Sequence, residues 1–169
     1  MTKIRALRLQ PTVEARDDAR QVLHESGDAV IVERGKPRWL VLKCPCGCSD
    51  DISVNLDSRT GPAWRLYDTG RGLTVYPSVW RESGCLSHFI IWNGQILWLD
   101  SYDQDFFDAA MEDEVLAVMS RLPKHFAAVA EELSAIPWEV LAAAHALAKR
   151  GMLIEGTGAK QGWFNRINY

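Results

Sequence analysis

Four cysteines and one histidine form the most distinctive pattern in this 169-residue sequence. Cys44, Cys46 and Cys48 occupy alternate positions of one short segment, and Cys85 is followed at the third position by His88. Thiolates and imidazole nitrogens are the ligands that zinc ions and iron–sulfur clusters prefer. Because such clustering in a reducing compartment points to metal rather than to disulfides, the sequence predicts a metal site.

These candidate ligands outnumber the four positions that a zinc ion usually offers. In one assignment His88 completes a set such as Cys46, Cys48, Cys85 and His88, and its place in a Cys-x-x-His segment favours this choice. In the other assignment all four cysteines bind the metal, including Cys44, and His88 is free. A zinc ion that closes a small sheet is the simpler prediction in either case.

An iron–sulfur cluster is the alternative to zinc, since the Cys85-x-x-His88 segment matches half of a Rieske pattern. The other half of that pattern requires a histidine where this sequence has Cys48. A Rieske-like redox protein therefore remains a second function class, with visible absorbance as the property that would distinguish it.

Two serines are candidate nucleophiles, because each lies near a residue that could act as a base. Ser78 follows a predicted strand, and Ser87 lies within the Cys85–His88 segment. A serine whose hydroxyl contacts a neutral histidine can attack a carbonyl carbon. His88 cannot bind metal and activate a serine at once, so this chemistry requires the four-cysteine metal set or another base.

Other residues could complete such a site. The alternative bases are the histidines on predicted helical stretches, His24, His125 and His145. The candidates for a third, orienting group are the aspartates Asp50, Asp51 and Asp100. The pattern leaves open which of them, if any, takes part.

The elements that must position these residues fall into three zones, which predict an α+β fold. Residues 1–27 predict a strand and a helix, 28–102 a zinc-bearing domain of short antiparallel strands, and 103–169 a helical region with a C-terminal tail. In the middle zone Asn93-Gly94 separates two apolar segments and predicts a two-residue hairpin. In the last zone apolar residues recur at helical spacing from Phe106 to Met119, a second helix is predicted over residues 126–133, and a third begins at Pro137 and ends before Gly151. The tail shows no period, although its aromatic residues should dock on the domain.

The composition restricts the function classes. The net charge is −3 and hydrophobic residues make up 47% of the chain. These values exclude a disordered chain and disfavour a nucleic-acid binder that works by bulk charge. No apolar run has the length of a membrane span, and no signal-peptide pattern precedes the first strand, so we expect a cytoplasmic protein with no membrane partner.

Three segments in order, Trp39 to Cys48, Pro77-Ser-Val-Trp80 and Gly84 to Trp98, resemble a small bacterial family often encoded beside ubiquitin-like proteins and their activating and conjugating enzymes. The resemblance covers about residues 30–100. It implies a mainly β domain that contains a metal, and a peptidase that processes or removes a ubiquitin-like protein at its C-terminal tail.

By the same resemblance, the four cysteines are expected metal ligands, and Ser78, Ser87 and His88 are candidate catalytic residues. The expected partners are a ubiquitin-like protein and the enzymes that activate or conjugate it. A non-catalytic zinc adaptor of the same pathway is the alternative to the peptidase. If a peptide tail is the substrate, a sheet edge beside Ser87–Trp92 would bring it to His88 by strand pairing.

Overall fold

The computed structural model describes residues 3–99 and 110–167. The chain forms two compact units, Met1–Tyr102 and Asp103–Tyr169. The first unit contains β1 (Arg8–Leu9), α1 (Arg16–Val22), β2 (Asp28–Glu33), β3 (Pro37–Lys43), β4 (Asp51–Asn55), β5 (Arg65–Asp68), β6 (Leu73–Trp80), β7 (His88–Trp92) and β8 (Gln95–Trp98). The second contains α2 (Glu112–Val118), β9 (Lys124–His125), α3 (Phe126–Glu132), α4 (Pro137–Lys149), β10 (Leu153–Glu155) and β11 (Trp163–Arg166). This α+β architecture with a helical C-terminal region confirms the predicted fold class.

The first sheet of the N-terminal unit has the order β1-β2-β3-β4, with β1 parallel to β2 and the other pairs antiparallel. Its strand β2 is buried on both faces. Val30 and Val32 pack against α1, whereas Ala29 belongs to the core on the opposite side. Burial on both faces explains why this strand has a continuous apolar run rather than alternation.

The second sheet is an antiparallel meander with the order β5-β6-β7-β8. Asn93 and Gly94 connect β7 to β8 with φ values of +48° and +73°. Positive φ at both central residues identifies the hairpin turn that this dipeptide favours, so the predicted hairpin is confirmed. Strand β6 continues past its predicted end at Tyr76 to Trp80, which places Ser78 on a strand rather than after one.

The two sheets share one hydrophobic core, and the cysteines lie at its border. Leu40 and Leu42 from the first sheet and Phe89 from the second are completely buried in this core. Cys44 and Cys46 belong to the same cluster of buried residues. The candidate metal ligands therefore rest against packed side chains that limit their movement.

The C-terminal unit corrects the sequence analysis in one respect. Helices α3 and α4 lie where they were predicted, and α2 covers part of the predicted segment that begins near Phe106; residues 100–109 lie outside the described residues. The tail, however, forms β10 and β11, which build a small antiparallel sheet with β9. Strands of two to four residues are too short to show a period, which is why the sequence did not reveal them.

None of the helices in the described ranges, 3–99 and 110–167, is long and apolar enough to cross a membrane.

Asp28 is a buried carboxylate that connects β1, α1 and β2. Its side chain is 4% exposed. Oδ2 accepts hydrogen bonds from the backbone N–H groups of His24 and Glu25 at 3.0 and 2.8 Å, and Oδ1 accepts one from Arg8 Nε at 2.8 Å. Burial opposes its ionisation, but these donors hold the pKa of Asp28 below its usual range.

We predict that Asp28→Asn lowers the free energy of unfolding by about 1–3 kcal/mol at neutral pH, because an amide leaves buried donors unpaired. A carboxyl whose pKa is lowered by folding stabilises the protein above its unfolded-state pKa of about 3.9 and loses that contribution as pH falls through its folded-state pKa. The difference between wild type and variant should therefore shrink below about pH 4. Urea unfolding over a pH series measures both effects.

Asp17→Asn on the exposed face of α1 is the matched control and should stay within about 0.5 kcal/mol of wild type. Equal stability of Asp28→Asn and wild type at neutral pH would contradict the role given to this carboxylate.

Candidate functional site

Three of the four cysteines lie on the loop between β3 and β4. Lys43, the last residue of β3, is the cross-strand partner of Asp51, the first residue of β4. Their side chains form a salt bridge of 2.8 Å. Within the loop the Cys44 N–H donates to the Asp50 carbonyl at 2.8 Å, and Gly47, at φ +88°, donates its N–H to the Cys44 carbonyl at 3.3 Å. The chain thus turns tightly enough for neighbouring thiols to converge.

The fourth cysteine, Cys85, lies on the loop between β6 and β7. Gly84 and Leu86 on either side have φ values of +73° and +53°. The Arg81 N–H donates to the Ser87 carbonyl at 2.9 Å and closes the loop at its base. This reversal presents the Cys85 thiol to the β3–β4 loop.

The four thiol sulfurs lie within 4.8 Å of one another. The Cys44 sulfur is 3.3 Å from that of Cys46 and 3.6 Å from that of Cys85. Sulfurs bound to one zinc ion at about 2.3 Å are about 4 Å apart, so a small adjustment would suit a tetrahedral ion. In the residues that the structure describes, the group close enough to hold a metal consists of cysteines, and His88 is not among its members.

The thiols of this cluster differ in how readily they ionise. Burial raises the pKa of Cys44 to about 12 and also raises the pKa of Cys48. Burial opposes ionisation of Cys85 as well, but hydrogen bonds from Ser87 lower its pKa to about 6. Four thiolates this close together repel one another, so a divalent ion is the natural partner for the full set of ligands.

Ser87 lies against the cysteines rather than against a histidine. It is 5% exposed, and its Oγ lies 3.1 Å from the Cys85 sulfur and 3.6 Å from the Cys44 sulfur. A hydroxyl in this position can donate to a thiolate and orient it as a ligand.

Ser78 and His88 lie side by side on adjacent strands. His88 is the cross-strand partner of Trp80 in the β6–β7 ladder, and Ser78 precedes Trp80 by two residues on the same face of β6. Diagonal neighbours in an antiparallel pair are within side-chain reach. The Ser78 Oγ is 3.0 Å from the His88 Nε2, which is hydrogen-bond distance for a nucleophile and its base.

A bulge in β6 supports the position of Ser78. The register shifts between Val75 and Val79, where Pro77 has no N–H to contribute to the ladder. The indole N–H of Trp64 donates to the Ser78 carbonyl at 3.2 Å. Bulges commonly re-aim a side chain near a functional site, and here the bulge carries the candidate nucleophile.

A cleft of about 460 Å³ opens beside His88 and the cysteines. Leu86, 63% exposed, lies at the cleft together with Trp98. The sheet edge expected beside Ser87–Trp92 does not exist, because β7 is an interior strand between β6 and β8. Strand pairing at β7 is therefore not available to a peptide, and the cleft provides an open surface beside His88.

The other candidate histidines each have different surroundings within their own unit. His24 is an exposed residue after α1. His125 accepts the Ala127 N–H at its Nδ1 and caps α3, and burial lowers its pKa. His145 forms a pair with Glu155 at 3.2 Å.

Two of the candidate aspartates are engaged in ion pairs. Asp50 accepts from Arg81 at 2.8 Å, and Asp51 pairs with Lys43 at the same distance. Asp100 lies outside the described residues.

Two residues that contact the site were missed in the sequence. Trp64 was one of several tryptophans in the strand-rich zone, and Arg81 was one of many scattered cations. The contacts of Trp64 with Ser78 and of Arg81 with Cys48 join segments distant along the chain, so the local sequence does not mark them. Only the proximity of Arg81 to Cys85 gave a weak signal.

A family model described as "Bacterial ubiquitination-like system serine protease (BubE)" matches residues 14–99, about half of the chain. The matched segment contains all four cysteines together with Ser78, Ser87 and His88. No curated protein and no solved structure matches the chain.

We predict that the protein purifies with about one zinc ion per chain and without visible colour, because four cysteines suit a closed structural zinc site. Cys46→Ser should lose the metal, whereas His88→Ala should retain it, since His88 bonds to Ser78 instead. Elemental analysis and an absorption spectrum of protein prepared without oxygen test both statements.

Loss of metal in His88→Ala would instead favour the ligand set that includes the histidine. Iron with a sulfide-to-metal absorption band would favour the redox alternative.

Proposed function

Because the chain belongs to the BubE family, described as the serine protease of a bacterial ubiquitination-like system, we propose that it hydrolyses a bond at the C-terminal tail of a ubiquitin-like protein. The reaction either processes a precursor or releases the protein from its target. The observation that carries the proposal is the 3.0 Å contact between the Ser78 Oγ and the His88 Nε2.

In the proposed mechanism Ser78 is the nucleophile and His88 the general base. With its own proton on Nδ1, His88 accepts the hydroxyl proton at Nε2 while Ser78 Oγ attacks the scissile carbonyl carbon. The tetrahedral intermediate collapses to an acyl-enzyme, and His88 donates that proton to the leaving amine. His88 then takes a proton from a water molecule, whose oxygen attacks the ester, and returns that proton to Ser78 Oγ as the carboxylic acid product is released.

The surroundings of the two serines support Ser78 over Ser87 as the nucleophile. Ser87 is buried against the sulfurs of Cys44 and Cys85, where its hydroxyl contacts thiols instead of a base. Ser78 is partly exposed and contacts a histidine. We therefore assign Ser87 to the support of the metal ligands.

In this proposal zinc has a structural role. Cys44, Cys46, Cys48 and Cys85 fill the four positions that zinc usually takes, so the ion would connect the β3–β4 loop to the β6–β7 loop. The β6–β7 loop leads directly into His88, so the metal would fix the start of the strand that carries the base.

The alternatives receive less support. The Ser78–His88 pair would have no purpose in a non-catalytic adaptor, which predicts stable binding without turnover. A Rieske-like centre needs imidazole ligands, and His88 is engaged with a serine. We retain the protease as the function that accounts for both the hydroxyl–imidazole contact and the family.

Ser78→Ala should reduce cleavage of a ubiquitin-like protein with a C-terminal extension by about 10³-fold or more, because it removes the hydroxyl that contacts the base in the proposed site. Ser87→Ala is the matched control, and its cleavage rate should stay within about tenfold of wild type once metal is bound. Electrophoresis or mass spectrometry of the cleaved product measures both rates.

A fluorophosphonate probe provides a second test of which serine is the nucleophile, and this test needs no knowledge of the natural substrate. The probe should modify wild type at Ser78, which peptide mapping would identify, and should fail to modify His88→Ala. Cleavage that persists in Ser78→Ala, or labelling at Ser87, would contradict the assignment.

A further inference from the structure

Arg81 contacts the thiol cluster through its guanidinium group. It follows β6 directly, and its side chain is 19% exposed. Its Nη1 lies 3.3 Å from the Cys85 sulfur and 3.5 Å from the Cys48 sulfur. One cationic group thus contacts one ligand from each of the two loops.

The charge of a four-cysteine centre explains why a cation is useful at this position. A divalent ion with four thiolates has a net charge of about −2, and the site lies at the border of an apolar core where charge is poorly screened. Lys43, a second cation at the same end of the β3–β4 hairpin, is occupied elsewhere: its Nζ contacts Asp51 at 2.8 Å and the Ser49 carbonyl at 3.3 Å.

Two neighbours hold Arg81 in this orientation. Asp50 Oδ2 accepts a hydrogen bond from Arg81 Nη1 at 2.8 Å and forms an ion pair with it. At Gly84 a Cβ would lie 3.3 Å from Arg81 Nη2, so the glycine leaves room for the guanidinium group. Asp50 lies on the loop of Cys44 and Cys48, so the anchor itself belongs to the metal-binding segment.

We propose that Arg81 is a positioning residue of the metal centre, which donates hydrogen bonds to the sulfurs of Cys48 and Cys85 and offsets their negative charge. The proposal rests on the metal-binding part of the proposed function and is independent of proteolysis. Because Arg81 follows the strand of Ser78 and closes the loop before His88, it also connects the metal centre to both candidate catalytic residues.

Zinc affinity, measured on the full chain by competition with a chromophoric chelator, tests the proposal without any substrate. Arg81→Gln should raise the dissociation constant for zinc about 10–100-fold, the usual loss when a group that bonds to a metal ligand is removed. Arg81→Lys keeps the charge and should recover most of the affinity. Arg20→Gln, the same charge change on the exposed face of α1 in the same unit, should stay within about twofold of wild type, because surface substitutions of this kind have small effects.

The spectrum of the cobalt-substituted protein separates an effect on the ligands from a general loss of stability. Hydrogen bonds to sulfur withdraw electron density, so Arg81→Gln should move the thiolate-to-cobalt charge-transfer band to longer wavelength, and Arg20→Gln should leave it unchanged. If Arg81→Gln does not fold, Asp50→Asn, which removes the anchor but keeps Arg81, should shift the band in the same direction by a smaller amount.

Unchanged zinc affinity and an unchanged cobalt spectrum in Arg81→Gln would overturn the proposal, as would an equal loss of affinity in Arg20→Gln. A wild-type chain that binds no divalent metal would overturn it as well, while leaving the serine chemistry to stand on its own test. Conversely, failure of cleavage with normal metal binding would contradict only the proposed protease.

Discussion

The convergence of four thiols is the constraint on which the N-terminal unit depends. Each of the two loops that supply them joins antiparallel strands, one hairpin in each sheet, so the sulfurs meet only when the two sheets pack on one core. Cys44 and Cys46 are part of that core, and the position of the cluster is therefore as well defined as the packing beneath it. The β6–β7 loop also adjoins both strands that bear Ser78 and His88.

A division between structural and chemical roles follows from the geometry of one short segment. Cys85 and Ser87 face the sulfur cluster, whereas His88, the next residue, begins β7 and contacts Ser78. Successive residues of an extended chain point to opposite sides, so a loop that faces the sulfur cluster can be followed at once by a residue directed elsewhere. The residues that face the cluster and the proposed base are thus adjacent in sequence without competing for the same site.

The features that the sequence reveals are those that depend on local patterns, and the features that it does not reveal depend on side-chain direction or on distant contacts. The hairpin at Asn93-Gly94, the doubly buried β2 and the helices α3 and α4 follow from local patterns, because turn chemistry and apolar periodicity are local properties. The choice between two ligand sets depends on which way His88 points, and the spacing Cys-x-x-His is compatible with either direction. The contacts of Trp64 and Arg81 join distant segments, and the strands of the C-terminal sheet are too short to show a period.

The separation between Cys44 and Cys85 has a consequence for the unfolded chain. The two cysteines are 41 residues apart in sequence, and an ion bound by both would close a long loop, as a disulfide does. Restricting a loop of this length removes conformational entropy from the unfolded ensemble, by an amount that corresponds to about 3–5 kcal/mol in the case of disulfides. Unlike a disulfide, such a closure is in equilibrium with free metal, and its contribution grows with the logarithm of metal concentration. The amount of folded protein would then depend on how much of the ion its surroundings supply.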